Sequence, residues 1–166
     1  MSKIDELVAE FLSQKNIAVA GIKRNNKGVG NAIFKKLKES DHRVYPLHPD
    51  LDAYEGEKCY SDVNSIPDKV DGVVIATSPA ITEKIVKDCI TAGIKRVWIH
   101  NMFGTKGANK PTTSLTDKAV QLCRENNITV IPGGCPMMFC EPVDFGHKCI
   151  KGITRLIGGF RFEDKR

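Results

Sequence analysis

The sequence lacks the signatures that would assign it quickly. It has no G-x-G-x-x-G fingerprint after its first strand-like run, and no acidic residue closing the second. Those are the marks of a dinucleotide enzyme: the glycines approach the pyrophosphate and the acid holds a ribose hydroxyl. It has no G-K-[ST], so ATP is not cradled in the Walker manner. No apolar run is long enough to cross a bilayer. Aromatics are only 7% of the chain, and none alternate with basic residues as a nucleic-acid stacking platform requires. The net charge of +5 is too small and too scattered to argue for nucleic acid. No internal repeat or low-complexity segment occurs. No export signal is apparent, so the six cysteines are expected as reduced thiols in a cytoplasm.

What is present reads as alternating strands and helices. Residues 1–15 form an amphipathic helix with Ile4, Leu7, Val8, Phe11 and Leu12 on one face. Short apolar runs at 17–20, 43–47, 71–76, 96–99 and 128–131 predict strands, with a further short strand near 58–60. Helical spacing covers 30–39, 81–92 and 116–126, with Ser78 and Pro79 well placed to open the second of these. The polar stretch 101–113, with Gly104, Gly107 and Pro111, is loop. The tail after Met137 is expected to be less regular, and 160–166 to be frayed. This order predicts one α/β domain, a Rossmann-like doubly wound parallel sheet with helices on both faces.

In such sheets ligands bind beyond the carboxyl ends of the strands. That rule selects Gly21 to Gly30, His48-Pro49, Thr77-Ser78-Pro79, His100 to Phe103, and Gly133 to Pro136. The first segment follows a strand, carries Lys23, Arg24 and Lys27, and runs through Gly28 and Gly30 into a helix. Cations beside helix amides suit a phosphate-rich ligand. A solvated basic loop is the plain alternative for each lysine taken singly.

Cys135 follows two glycines and precedes a proline, where exposed amides would lower a thiol pKa; filling a tight turn is the bland role. Cys140, Glu141, Asp144, His147 and Cys149 cluster in sequence, but their spacing matches no common zinc pattern and no metal is expected. His100 is either a hydrogen-bonding group at the ligand's edge or a polar strand end.

Four stretches together resemble a known family: VAGIKRNNKGVGNAIFKKL, RVYPLHP, DGVVIATSP with AGIKRVWIHN, and ITVIPGGCPMM. They resemble the small stand-alone CoA-binding proteins whose domain is similar to the nucleotide-binding domain of the succinyl-CoA synthetase α subunit. The resemblance covers about 14–140 and divides the chain into a leading helix (1–15), a CoA-binding domain (16–140) and a tail (141–166) without a counterpart. It implies that Lys23, Arg24 and Asn25 hold CoA phosphates, with Gly21, Ile22, Gly28, Gly30 and Asn31 counted among the cofactor-binding residues of the same segment. It implies that His48 and Pro49 wall the adenosine. Thr77, Ser78 and Pro79 match the turn after the central strand, and His100, Asn101 and Met102 the next strand end. Gly134 and Cys135 then lie toward the pantetheine arm, where a Cys135–CoA mixed disulfide is one expectation.

A lysine that follows the second-strand turn in the synthetase aligns near Leu51. The synthetase's phosphorylated histidine lies in a second domain, so ligase activity is not implied. The expected function is therefore CoA or acyl-CoA binding without a complete catalytic apparatus. An NAD(P)-dependent oxidoreductase and a nucleotide-sensing regulatory domain are the alternatives. The latter would be a homo-oligomer built on the leading helix. Neither nucleic acid nor membrane is expected as a partner.

Overall fold

The computed structural model describes residues 2–161. Its centre is a five-stranded, wholly parallel sheet of β1 (Asn16–Ala20), β2 (Arg43–Leu47), β5 (Gly72–Ile75), β6 (Arg96–Ile99) and β7 (Thr129–Pro132), in spatial order β2-β1-β5-β6-β7. A two-residue hairpin, β3 (Ala53–Tyr54) with β4 (Glu57–Lys58), sits outside it, and Tyr60 bridges to Leu47 at the sheet edge. Pro46 is tolerated inside β2 because that strand is an edge.

Every inner strand is buried on both faces, which explains the continuous apolar runs. Ala18, Ala20, Val73, Ile75, Val97 and Ile99 point to one side, against α3 (Pro79–Thr91) and α4 (Asp117–Glu125). Ile17, Val19, Val74, Trp98 and Ile131 point to the other, against α1 (Lys3–Leu12) and α2 (Val29–Glu39). A doubly wound Rossmann-like sheet results.

The stripe on α1 is consumed by this packing. Ile4, Val8 and Phe11 are buried, and the Phe11 ring lies so close to Gly72 that a Cβ there would meet it at 2.8 Å. Burying each such side chain contributes roughly 1.5–3 kcal/mol. The leading helix therefore belongs to the core, and its apolar face is not free to build an oligomer.

The tail departs from its expected irregularity. Phe145–Leu156 is a regular helix, α5, whose cap Asp144 accepts a hydrogen bond from the His147 amide at 3.0 Å. Lys36 Nζ donates to the Pro142 carbonyl at 2.6 Å, and Arg155 to Asp5 at 2.6 Å, tying this segment to α2 and α1. Phe160 is not frayed. It packs edge-on against Phe139 at 5.8 Å, and the Gly159 carbonyl accepts from the Thr105 amide at 2.7 Å. The remainder of the expected frayed segment, 162–166, lies outside the described residues.

Candidate functional site

The strand order reverses between β1 and β5: one crossover leads outward to β2, the other toward β6. A crevice forms there by topology. The structure has a cleft of ≈ 760 Å³ at this point, within the usual range for small-molecule sites.

Its first wall is the turn after β1. Gly21 has φ +107°, and a Cβ on it would stand 2.3 Å from the Ala76 carbonyl oxygen. One turn later a Cβ on Gly30 would stand 2.5 Å from the Gly21 oxygen. These two glycines let α2 descend directly onto the ends of β1 and β5. Asn31, buried, then fixes the loop. Its Oδ1 accepts from the amides of Lys23 (2.9 Å) and Gly28 (3.1 Å), and its Nδ2 donates to the Lys23 carbonyl (3.0 Å).

The Lys23 side chain consequently lines the cleft beside the first turn of α2, whose leading amides have no intrahelical acceptor. No carboxylate pairs with Lys23 among the described residues. Arg24 is exposed outside the lining and donates to the Asp50 carbonyl at 2.6 Å, fastening the loop to the turn after β2. Asn25 Oδ1 accepts from the Lys27 amide at 3.1 Å.

The second wall is His48-Pro49, after β2. His48 Nδ1 accepts from the Asp50 amide at 3.0 Å, leaving Nε2 as the nitrogen that carries the proton. Thr77, Ser78 and the start of α3 supply the third. Thr77 and Thr82 hydroxyls meet at 3.0 Å, and Thr82 donates to the Ser78 carbonyl at 3.1 Å. Pro79 occupies the first turn of α3 without lining the cleft.

His100 closes the floor at the end of β6. Its Nε2 is shielded from water and has no hydrogen-bond partner. Burial lowers its pKa to about 4, so the ring is neutral at pH 7.

Sequence reasoning missed part of the lining. Ile81, Lys84, Ile85 and Asp88 of α3 face the cleft, with Lys84 Nζ 2.8 Å from Asp88, and Pro111 to Ser114 form a wall from the long loop. The spacing of Ile81, Ile85 and Asp88 (i, i+4, i+7) was a readable signal, a second stripe on α3. The loop carried none.

Asn101, Met102, Gly134 and Cys135 stand away from the cleft. Asn101 and Gly134 pair across the ends of β6 and β7, the Gly134 amide donating to the Asn101 carbonyl at 2.7 Å. Met102 packs against the core on the α1–α2 side. Cys135 is fully buried there, and burial pushes its thiol up to about 12. Of the two roles the sequence allows Cys135, this burial favours the turn-filling residue over the activated thiol: the turn amides are not presented to solvent, so desolvation of the thiolate decides the pKa. Asp144 and His147 cap α5, with His147 Nδ1 at 2.5 Å from Asp144.

Among the described residues no helix is long and apolar enough to cross a membrane.

The chain is similar to known proteins in sequence and in fold. The ADP-forming acetate–CoA ligase of Methanocaldococcus jannaschii is 29% identical over 121 residues, 73% of this chain and 17% of that protein. The α subunit of ADP-forming acetate–CoA ligase II of Pyrococcus furiosus is 32% identical over 99 residues, 58% of this chain and 22% of that subunit. The chain thus spans about a fifth of the length of the curated relatives it matches. Among solved structures, a hypothetical protein from Pyrococcus horikoshii OT3 superposes with a TM-score of 0.73 at 28% identity, covering 84% of this chain and 91% of that one. The dinucleotide-forming acetyl-coenzyme A synthetase 1 of Ca. Korarchaeum cryptofilum, solved with phosphate and ADP, gives 0.61 at 25% identity, covering 74% of this chain and 26% of that one. The CoA binding domain model matches residues 15–141, all five strands of the sheet and the whole first wall of the cleft, and the chain belongs to that family.

Proposed function

We propose that the cleft between β1 and β5 holds CoA or an acyl-CoA, and that the chain is a binding module without acyl-transfer chemistry of its own. The observation that carries this reading is the position of Lys23. Gly21, Gly30 and Asn31 fix its backbone, and its side chain enters the cleft beside the unpaired amides of a helix start. A pyrophosphate there meets both a cation and oriented N–H donors. The adenosine rests against His48 and Pro49. The pantetheine arm runs over Ile81 and Ile85, above the floor that His100 closes.

NAD fits this cleft less well. At the end of β2 a dinucleotide site places an acid on the ribose; here His48 and Pro49 occupy that place.

Calorimetry with CoA, acetyl-CoA, NAD and ATP side by side tests the reading. CoA species should bind best, and Lys23→Glu with Arg24→Glu should weaken them by about 10-fold or more, the scale of a lost charge-assisted contact. Unchanged CoA affinity in the double variant would overturn it.

A further inference from the structure

The two amphipathic helices that end the described chain are used in opposite ways. The apolar stripe of α1 faces the core, and that of α5 faces water. Six large apolar side chains are exposed among the described residues, and four of them, Phe145, Ile153, Leu156 and Ile157, lie on α5 or its cap. Phe145 is 82% exposed and Leu156 87%. With the exposed Cys149 they recur at i, i+4, i+8, i+11 and i+12, the spacing of one helix face.

The opposite face already has its partners. Thr154 is buried, Ile150 packs on the core, Lys151 Nζ lies 4.1 Å over the Phe139 ring, and Arg155 holds Asp5. The helix is therefore seated, and its outer stripe is surplus to the fold. A contiguous apolar patch of this kind marks an interaction surface.

The stripe is built to meet itself. Gly152 lies at its middle, and a Cβ there would have nothing within 4 Å. That leaves a notch for a close helix crossing. Laid antiparallel about a two-fold axis between Cys149 and Gly152, one α5 sets its Phe145 on Leu156 of the second copy, and its Cys149 in the Gly152 notch. Charge agrees with that direction. The exposed Glu141 stands just before α5 and the exposed Arg161 just beyond its end, so antiparallel pairing brings opposite signs together at both ends. The helix dipoles align favourably as well.

We infer that the outer face of α5 is a homodimer interface, an isologous pairing of two copies of this chain about Cys149 and Gly152.

Sedimentation of the full chain at micromolar concentration should give twice the chain mass. Phe145→Glu with Leu156→Glu should give the single mass with an unchanged circular dichroism spectrum, because both side chains are exposed in the protomer. Lys87→Glu, an exposed α3 change of comparable charge, should leave the dimer intact. A short bismaleimide should cross-link the chain through Cys149, and Cys149→Ser should abolish the link. A single-mass species for the unaltered chain would overturn the proposal, and so would a dimer that survives the double substitution.

Discussion

Asn31 and Lys23 hold each other through a reciprocal pair of hydrogen bonds, amide to Oδ1 at 2.9 Å and Nδ2 to carbonyl at 3.0 Å. One buried side chain thus sets the backbone of the residue that meets the ligand.

Replacing Asn31 by Leu leaves the Lys23 and Gly28 amides without their acceptor. The expected loss is about 1–3 kcal/mol of stability, read by urea unfolding. CoA binding should weaken as well, although residue 31 does not line the cleft. Unaltered affinity in a folded Asn31→Leu variant would show that the loop holds its shape without the clamp.

Gly30→Ala tests the close approach of α2 to the sheet. The added methyl would stand 2.5 Å from the Gly21 oxygen, a rigid backbone atom. Overpacking of this kind costs about 1–3 kcal/mol, and here it must also displace the turn. A thermal midpoint and CoA affinity equal to the parent protein's would contradict the geometry.

His100 makes stability depend on pH. Its pKa is 6.5 when exposed and about 4 in the fold. Between those values the unfolded chain binds a proton that the folded chain refuses. Stability is therefore full above pH 6.5 and falls as pH drops toward 4, by up to about 3 kcal/mol. His100→Gln should flatten that part of the profile. The lowered carboxyls of Asp5 and Asp144 act at more acid pH, since their ordinary value is 3.8. Parallel profiles for the two proteins between pH 4 and 6.5 would remove His100 as the cause.

Thiol titration reads burial directly. Of six cysteines only Cys149 is exposed in the protomer, so in the Phe145→Glu with Leu156→Glu variant one thiol per chain should react quickly at pH 7, and six after denaturation. Peptide mapping after treatment with oxidised CoA should find Cys135 unmodified. A Cys135–CoA disulfide formed in the native protein would mean the turn opens.

The sheet was legible because its strands are buried on both faces. Runs such as DGVVIA have no polar alternation and admit few other readings. The turn at 21–30 was legible from glycines and cations beside a helix start. Two things were hidden. The choice between a reactive and a turn-filling Cys135 was open, because sequence does not reveal that Phe160 returns to cover Gly134, with its ring 3.2 Å from where a Cβ would lie. The helix at 145–156 was hidden because Gly146 and Gly152 interrupt its pattern and its apolar residues face outward, so no core claims them. In the same way Asn31 read as a ligand contact, whereas its amide group is committed to the loop that makes the contact.

The chain has a single tryptophan, and its position gives the molecule a built-in optical reporter. The Trp98 indole N–H donates to the Gly133 and Gly134 carbonyls at 3.1 and 3.2 Å. Its ring is wedged between Phe11 of α1, at 5.5 Å, and Phe139, at 5.8 Å. Detachment of the first helix or loosening of the turn after β7 would wet the same fluorophore. A red shift of its emission therefore follows the integrity of both ends of the chain without any label.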